Sequence, residues 1–169
     1  FVYLLVVLVA LVDWGGNGAH EGKHTALVFL NGTIDAKGEA SAEKLIGALQ
    51  TAFEDKNSAG VVLRINSPGG SPVQAGMVND EIKRLREKYP DKPLYAVVED
   101  LCASGGYYVA AAADRIYVNK ASIVGSIGVL MDGFGFTDTM DKVGVERRLL
   151  TAGDNKGFLD PFSPQDARH

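Results

Sequence analysis

One cysteine, Cys102, stands among 169 residues. Its isolation rules out an internal disulfide and any cysteine-based metal spacing. Its place two residues before Ser104 makes it a possible nucleophile, but a small buried residue lining a turn is the simpler reading. Histidine is almost as scarce: His20 and His24 precede the first extended run and His169 ends the chain. None lies in a loop that reads as part of a core, so a Ser-His-Asp arrangement is not expected. Basic charge is not in surplus either. Seventeen Lys and Arg face 21 Asp and Glu for a net charge of −4, which argues against a nucleic-acid partner. No metal and no cofactor is expected from this residue set. Nor is there an apolar run of the roughly 20 residues that span a bilayer; the longest visible one, Phe1 to Val12, is shorter and starts at the first residue.

That run is read as the distal part of a transmembrane helix or signal anchor, ending with Trp14 at the interface. The alternative is a buried strand or helix of the domain. Residues 1–14 are thus expected to be a partial anchor and residues 15–24 a juxtamembrane tether. Residues 25–169 are expected to be one domain whose C-terminus looks cut short.

Glycine is plentiful, with 20 residues gathered at Gly69-Gly70, Gly105-Gly106, Gly125 to Gly128 and Gly133 to Gly135. A hydrophobic content of 46% is that of a globular protein. Between the glycine clusters the hydrophobic period alternates between strand and helix. Thr25 to Leu30 and Thr33-Ile34 read as extended, separated by Asn31-Gly32. Leu45, Ala48, Leu49, Ala52 and Phe53 recur at helical spacing, with Ser41 placed to cap them. Gly60 to Ile65 reads as a strand buried on both faces. Ser71 and Pro72 open a helix with Val73, Met77, Ile82 and Leu85 as its stripe. Leu94 to Val98 predicts another buried strand, Gly106 to Ala113 a short helix, Arg115 to Val118 a strand, Ala121 to Val129 a turn, Thr137 to Val143 a helix and Glu146 to Leu150 a last strand. Alternation of this kind predicts an α/β domain with right-handed crossovers.

Two of the strand-to-helix turns carry possible chemistry. In Ala103-Ser104-Gly105-Gly106-Tyr107-Tyr108 a serine follows a buried strand and precedes two glycines, the layout of a nucleophile with unencumbered N–H groups beside it. In Ser67-Pro68-Gly69-Gly70 the backbone N–H groups suit the stabilisation of an oxyanion. A lysine can take the place of histidine as base if burial disfavours its charged form. Lys44, Lys56, Lys83, Lys88 and Lys92 read as solvated surface. Lys156 sits in a glycine-flanked loop just before Phe158-Leu159-Asp160-Pro161-Phe162, whose aromatics could keep water from an amine.

Ser67-Pro68-Gly69-Gly70, the Ser104 turn, Val124-Gly125-Ser126-Ile127-Gly128-Val129 and Thr151-Ala152-Gly153 with Lys156 occur in that order. Together they resemble the Ser/Lys signal peptide peptidases, membrane-anchored serine peptidases of the Clp-protease and crotonase-like fold. The resemblance covers about Thr25 to Phe162. It implies Ser104 as nucleophile, Lys156 as general base, Ser126 as the hydroxyl that orients the lysine, and Gly70 and Gly105 as oxyanion donors. It also implies a superhelical domain of repeated β-β-α units, self-assembly into a homo-oligomer, a single-pass anchor in the bacterial cytoplasmic membrane, and cleaved signal peptides as substrates. The Ser/Lys pair could form within one subunit or across two. Three rival readings stay open: a related membrane protease that cuts an apolar segment of a partner protein, a crotonase-like acyl-CoA enzyme, and a non-catalytic membrane scaffold.

Overall fold

The computed structural model describes residues 22–129, 132–152 and 160–164. The chain divides into two compact units, one through Gly128 and one from Val129.

In the first unit β-branched and aliphatic runs form strands, and the helical-period segments between them form the crossovers. The order is β1 (His24–Asn31), α1 (Ala42–Glu54), β2 (Ser58–Ser67), α2 (Pro72–Lys88), β3 (Leu94–Ala103), α3 (Gly105–Ala110), β4 (Arg115–Tyr117) and β5 (Ile123–Gly125). All pairings are parallel, in the order β1-β2-β3-β4. Strand β5 lies off this path and pairs with the last residues of β3, Leu101 with Ile123 through Ala103 with Gly125. Strand β3 thus carries two short strands in succession, β4 beside Tyr95 to Val97 and β5 beside Leu101 to Ala103. Its first half, Leu94 to Val98, pairs with β2, while Cys102 pairs with Ser67 beyond a break in register.

Register sets the core. Val28, Leu63, Ala96 and Ile116 stand in one row across the sheet, and Leu30, Ile65 and Val98 in another. Leu30, Leu63, Ile65 and Ala96 are fully buried, beneath Leu45, Leu49 and Phe53 of α1 and Val78, Ile82 and Leu85 of α2. The alternate residues turn the other way. There Phe29 is 47% exposed, and Arg64 lies over its ring at 5.2 Å and pairs with Glu99 at 2.7 Å. Strand β2 is thus buried on one face, not on both as its apolar run predicts.

Local differences have local causes. The α2 stripe is Ala75, Val78, Ile82 and Leu85 with Asn79, and Val73 and Met77 face solvent; the helix is turned from the predicted face so that small Ala75 meets the Ser104 turn. Ala48 is exposed while Leu45, Leu49, Ala52 and Phe53 are buried. Ser41 stands at the N-cap of α1 but its hydroxyl makes no capping bond; Gln74 Oε1 accepts from Ala42 N–H instead, at 2.9 Å. The Ser/Gly-rich stretch after β4, read as a turn, contains β5.

The second unit holds α4 (Thr137–Lys142), with Phe136 at its N-cap. Phe136 N–H donates to Pro161 O at 2.7 Å, and the Phe136 ring stacks on Phe162. Residues 146–150 form no strand and are exposed. A β-branched or aliphatic run becomes a strand only where another strand takes its backbone groups, and none of the described residues does so. Among the described residues no helix is long and apolar enough to cross a membrane; the predicted anchor at 1–14 lies outside them.

Candidate active site

Parallel strands deliver their C-terminal ends to one edge of the sheet, where crevices for ligands form. Three of the sequence motifs converge there. Strand β3 ends at Ala103, and Ser104 turns the chain into α3 with φ 50° and ψ −121°. This is backbone that an L-residue adopts only at a cost of about 1–3 kcal/mol, and such residues cluster at active sites. A serine on a sharp, strained strand-to-helix turn is the geometry that lifts a nucleophilic hydroxyl clear of a sheet edge. Among the described residues the non-glycine residues with positive φ are two, Ser104 and Ser126.

Those two serines are brought side by side by the β3–β5 ladder. Ala103 and Gly125 are register partners, and Ser104 N–H donates to Gly125 O at 2.8 Å. Ser104 and Ser126 are the next residue on each strand. Ser104 is half-buried and Ser126 exposed.

The Pro68-Gly69-Gly70 turn packs against the same point. A Cβ on Gly69, whose φ is +93°, would lie 2.7 Å from both Ala103 O and Gly105 N and 2.9 Å from Ser104 Cβ, so only glycine allows the two turns to touch. Gly70 has φ +146°, and a Cβ there would fall 2.2 Å from Ile34 O. Ile34 holds this turn from both sides: its N–H donates to Gly69 O, and its O accepts from Ser71 N–H, both at 2.8 Å. The peptide carrying the Gly70 N–H is thereby fixed while Gly70 itself remains exposed. Gly105 lies close by, since a Cβ on it would sit 3.5 Å from Gly70 N and 3.1 Å from Ala75 Cβ. Ser104, Gly70 and Gly105 are therefore neighbours, two backbone N–H groups beside one strained serine.

Residues that sequence reasoning missed hold this arrangement. Ser67 is fully buried; its hydroxyl donates to Gly32 O at 2.6 Å and accepts from Gly69 N–H at 3.1 Å. It ties the glycine turn to the end of β1, and Gly106 packs onto it, a Cβ there meeting Ser67 O at 3.1 Å. Asn79, 2% exposed, donates through Nδ2 to Tyr108 O at 2.7 Å and so fastens α3 to α2. A buried asparagine inside an apolar helical stripe is the one signal that could have pointed to it. Cys102 is fully buried, and desolvation pushes its thiol up to about 11, which removes it as a thiolate nucleophile at neutral pH.

Of the histidines, His24 lies at the start of β1, at the opposite end of the parallel sheet from Ser104, and its Nε2 is 3.1 Å from Asp55 Oδ2. His20, His169 and the candidate base Lys156 lie outside the described residues. Among the described residues no group of three or more His, Cys, Asp or Glu could hold a metal ion.

A parallel α/β sheet that presents a strained serine beside paired glycine N–H groups belongs to the class of folds that carry acyl-transfer sites. Residues 86–168 of the 169 match the family model of peptidase family S49. The chain is 33% identical over 143 residues to the chloroplastic serine protease SPPA of Arabidopsis thaliana, a match covering 82% of this chain and 21% of that protein. It is also 44% identical over 146 residues to the Na(+)/H(+) antiporter NhaA of Brucella melitensis, covering 83% of this chain and 20% of that protein. The chain thus spans about a fifth of the length of each of these relatives. Among solved structures, a serine-to-alanine mutant of the 1510-N membrane-bound stomatin-specific protease shares the fold. Its TM-score is 0.52 at 14% identity, with 68% of this chain and 52% of that one covered.

Proposed function

We propose that the protein is a membrane-anchored serine endopeptidase that hydrolyses cleaved signal peptides or similar apolar membrane peptides through a Ser104/Lys156 dyad. The observation that carries this reading is the left-handed backbone of Ser104 with Gly70 and Gly105 packed beside it. Neutral Lys156 takes the Ser104 Oγ proton as the oxygen attacks the scissile carbonyl carbon. The carbonyl π electrons move to its oxygen, which the Gly70 and Gly105 N–H groups stabilise; one such donor contributes roughly 3–4 kcal/mol. The resulting ammonium protonates the leaving amine as the C–N bond breaks, giving an acyl-Ser104. Water, deprotonated by the same lysine, attacks the ester, and the acid leaves as Ser104 regains its proton. Ser126, one residue past the register pair on β5, orients the lysine.

The reading extends to the architecture. Long strand, short strand contact and helix recur as β1, Ile34 and α1, then β2, Gly70 and α2. The long β3 with α3, followed by β4 and β5 that each pair with β3, continues the pattern, which supports a crotonase-like superhelix of β-β-α repeats. Residues 1–14 supply a single-pass anchor in the bacterial cytoplasmic membrane, and copies of the chain assemble into a homo-oligomer.

Peptide cleavage by the full-length protein tests this. Ser104→Ala and Lys156→Ala each reduce it to background, and Ser126→Ala weakens it. The rate rises with pH through an apparent pKa well below the ordinary lysine value of about 10.4. Cleavage that survives either dyad substitution, or a pH profile flat from neutral to alkaline, sinks the dyad.

A further inference from the structure

At the edge of the sheet remote from Ser104, the starts of the strands and the ends of α1 and α2 enclose a pocket of about 420 Å³. Lys23, Lys56, Lys88 and Lys92 line it with Tyr89, and Asp91 is the one carboxylate in the lining. Four ammonium groups have been gathered at one place in a chain whose net charge is −4.

Helix ends account for two of them. Lys92 Nζ donates to Phe53 O and Asp55 O, both at 2.7 Å, closing the C-terminus of α1 where carbonyls lack intrahelical partners. Lys88 occupies the last turn of α2, which favours a cation, and stands 3.9 Å from Glu54. The neighbouring Asp55 carboxylate is engaged by His24 at 3.1 Å and by Asn57 N–H at 2.8 Å. Lys23 and Lys56 have no comparable duty: neither forms an ion pair with the described residues. Tyr89 supplies a wall. Its ring packs near Phe53, with centroids 6.0 Å apart, and the Lys88 and Lys92 ammonium groups lie 5.0 and 5.8 Å from its centroid.

We propose that this pocket binds the phosphate of an anionic phospholipid headgroup, so that the strand-start edge of the domain rests on a bilayer surface. The proposal builds on the anchored reading above. Residues 13–22 link the apolar run to Lys23 and reach at most about 35 Å when extended, which keeps the pocket near the surface of any bilayer holding that run. Compact lysine point charges suit a phosphate. A nucleic acid, by contrast, would lay a long polyanion across a net-acidic surface, whereas one headgroup meets only the pocket.

The test is flotation of the full-length protein with vesicles of phosphatidylcholine alone and of phosphatidylcholine mixed with phosphatidylglycerol. The parent protein prefers the anionic vesicles, and salt weakens that preference. Lys23→Gln/Lys56→Gln, which leaves both helix ends intact, lowers the preference about fivefold for each lysine removed; adding Lys88→Gln lowers it again. Inorganic phosphate at matched ionic strength leaves the preference in place. A parent that binds both kinds of vesicle equally keeps the anchor and overturns the pocket alone. A parent that binds neither overturns both readings. Displacement by inorganic phosphate means a free-phosphate site and overturns the lipid assignment.

Discussion

Replacing Ser104 by glycine and by alanine separates the cost of its backbone conformation from the worth of its hydroxyl. Both changes delete Oγ, and since the Ser104 side chain makes no capping bond to α3, neither loses a helix cap. Alanine keeps the Cβ in a conformation, φ 50° and ψ −121°, that costs an L-residue about 1–3 kcal/mol. Glycine adopts it freely but gives back roughly 0.5–1 kcal/mol through the larger freedom of its unfolded chain. The balance leaves Ser104→Gly more stable than Ser104→Ala by about 1 kcal/mol. In urea, with slopes of about 1–3 kcal/mol/M for domains of this kind, that is a midpoint difference of roughly 0.5 M; on heating it is a Tm difference of about 2–4 °C. Peptide cleavage is absent in both. A glycine variant no more stable than the alanine variant would mean that the turn carries no strain, and the step from backbone geometry to nucleophile would fail with it.

Gly70→Ala drives a methyl group into the Ile34 carbonyl, so it is expected to lose about 10²–10³-fold in cleavage, the effect of one oxyanion donor, and to unfold at lower urea. Ser67→Ala deletes two buried hydrogen bonds and is expected to cost about 1–3 kcal/mol by urea titration, with cleavage reduced because the Gly69 turn loses its tie to β1. In the second unit Arg147 hydrogen-bonds the Asp160 carboxylate and holds it down to about 2. A carboxyl depressed on folding stabilises above its ordinary value of 3.8 and ceases to do so as pH falls through the depressed one. Asp160→Asn is therefore expected to lower thermal stability at pH 5 and to match the parent near pH 2; an equal deficit at both values would refute the pairing.

Strands β1 to β4, the four described helices and the Ser104 turn were legible because hydrophobic period and glycine position are local properties. Ser104 and Gly70 could be named as candidates because strand, glycine and helix follow one another in the chain. What could not be read was orientation and partnership. Val73 and Met77 fit the α2 period as well as Ala75 and Val78 do, and only contact with the Ser104 turn selects a face that ends in a small side chain. Strand β5 was hidden because Ile123-Val124-Gly125 is too short to show a period, and its pairing with the last residues of β3 is a long-range event. Glu146 to Leu150 had strand-like content and no strand beside it. Ser67 and Asn79 gave little sign of their roles, since a hydroxyl or an amide becomes structural only when a carbonyl from elsewhere in the chain meets it.

The all-parallel pairing has a consequence for how the domain comes into being. A parallel ladder cannot be closed by a hairpin, and even the pairing nearest in sequence, Tyr95 with Arg115, encloses the whole of α3. Contacts of that separation are slow to form, because loop closure must precede any gain from pairing. Gly70, Ser104 and Ser126 come from the ends of three different strands, and the last of these joins only when β5 closes on β3. No short stretch of the chain contains the site, so a nascent or partly folded molecule has all the residues and none of the geometry.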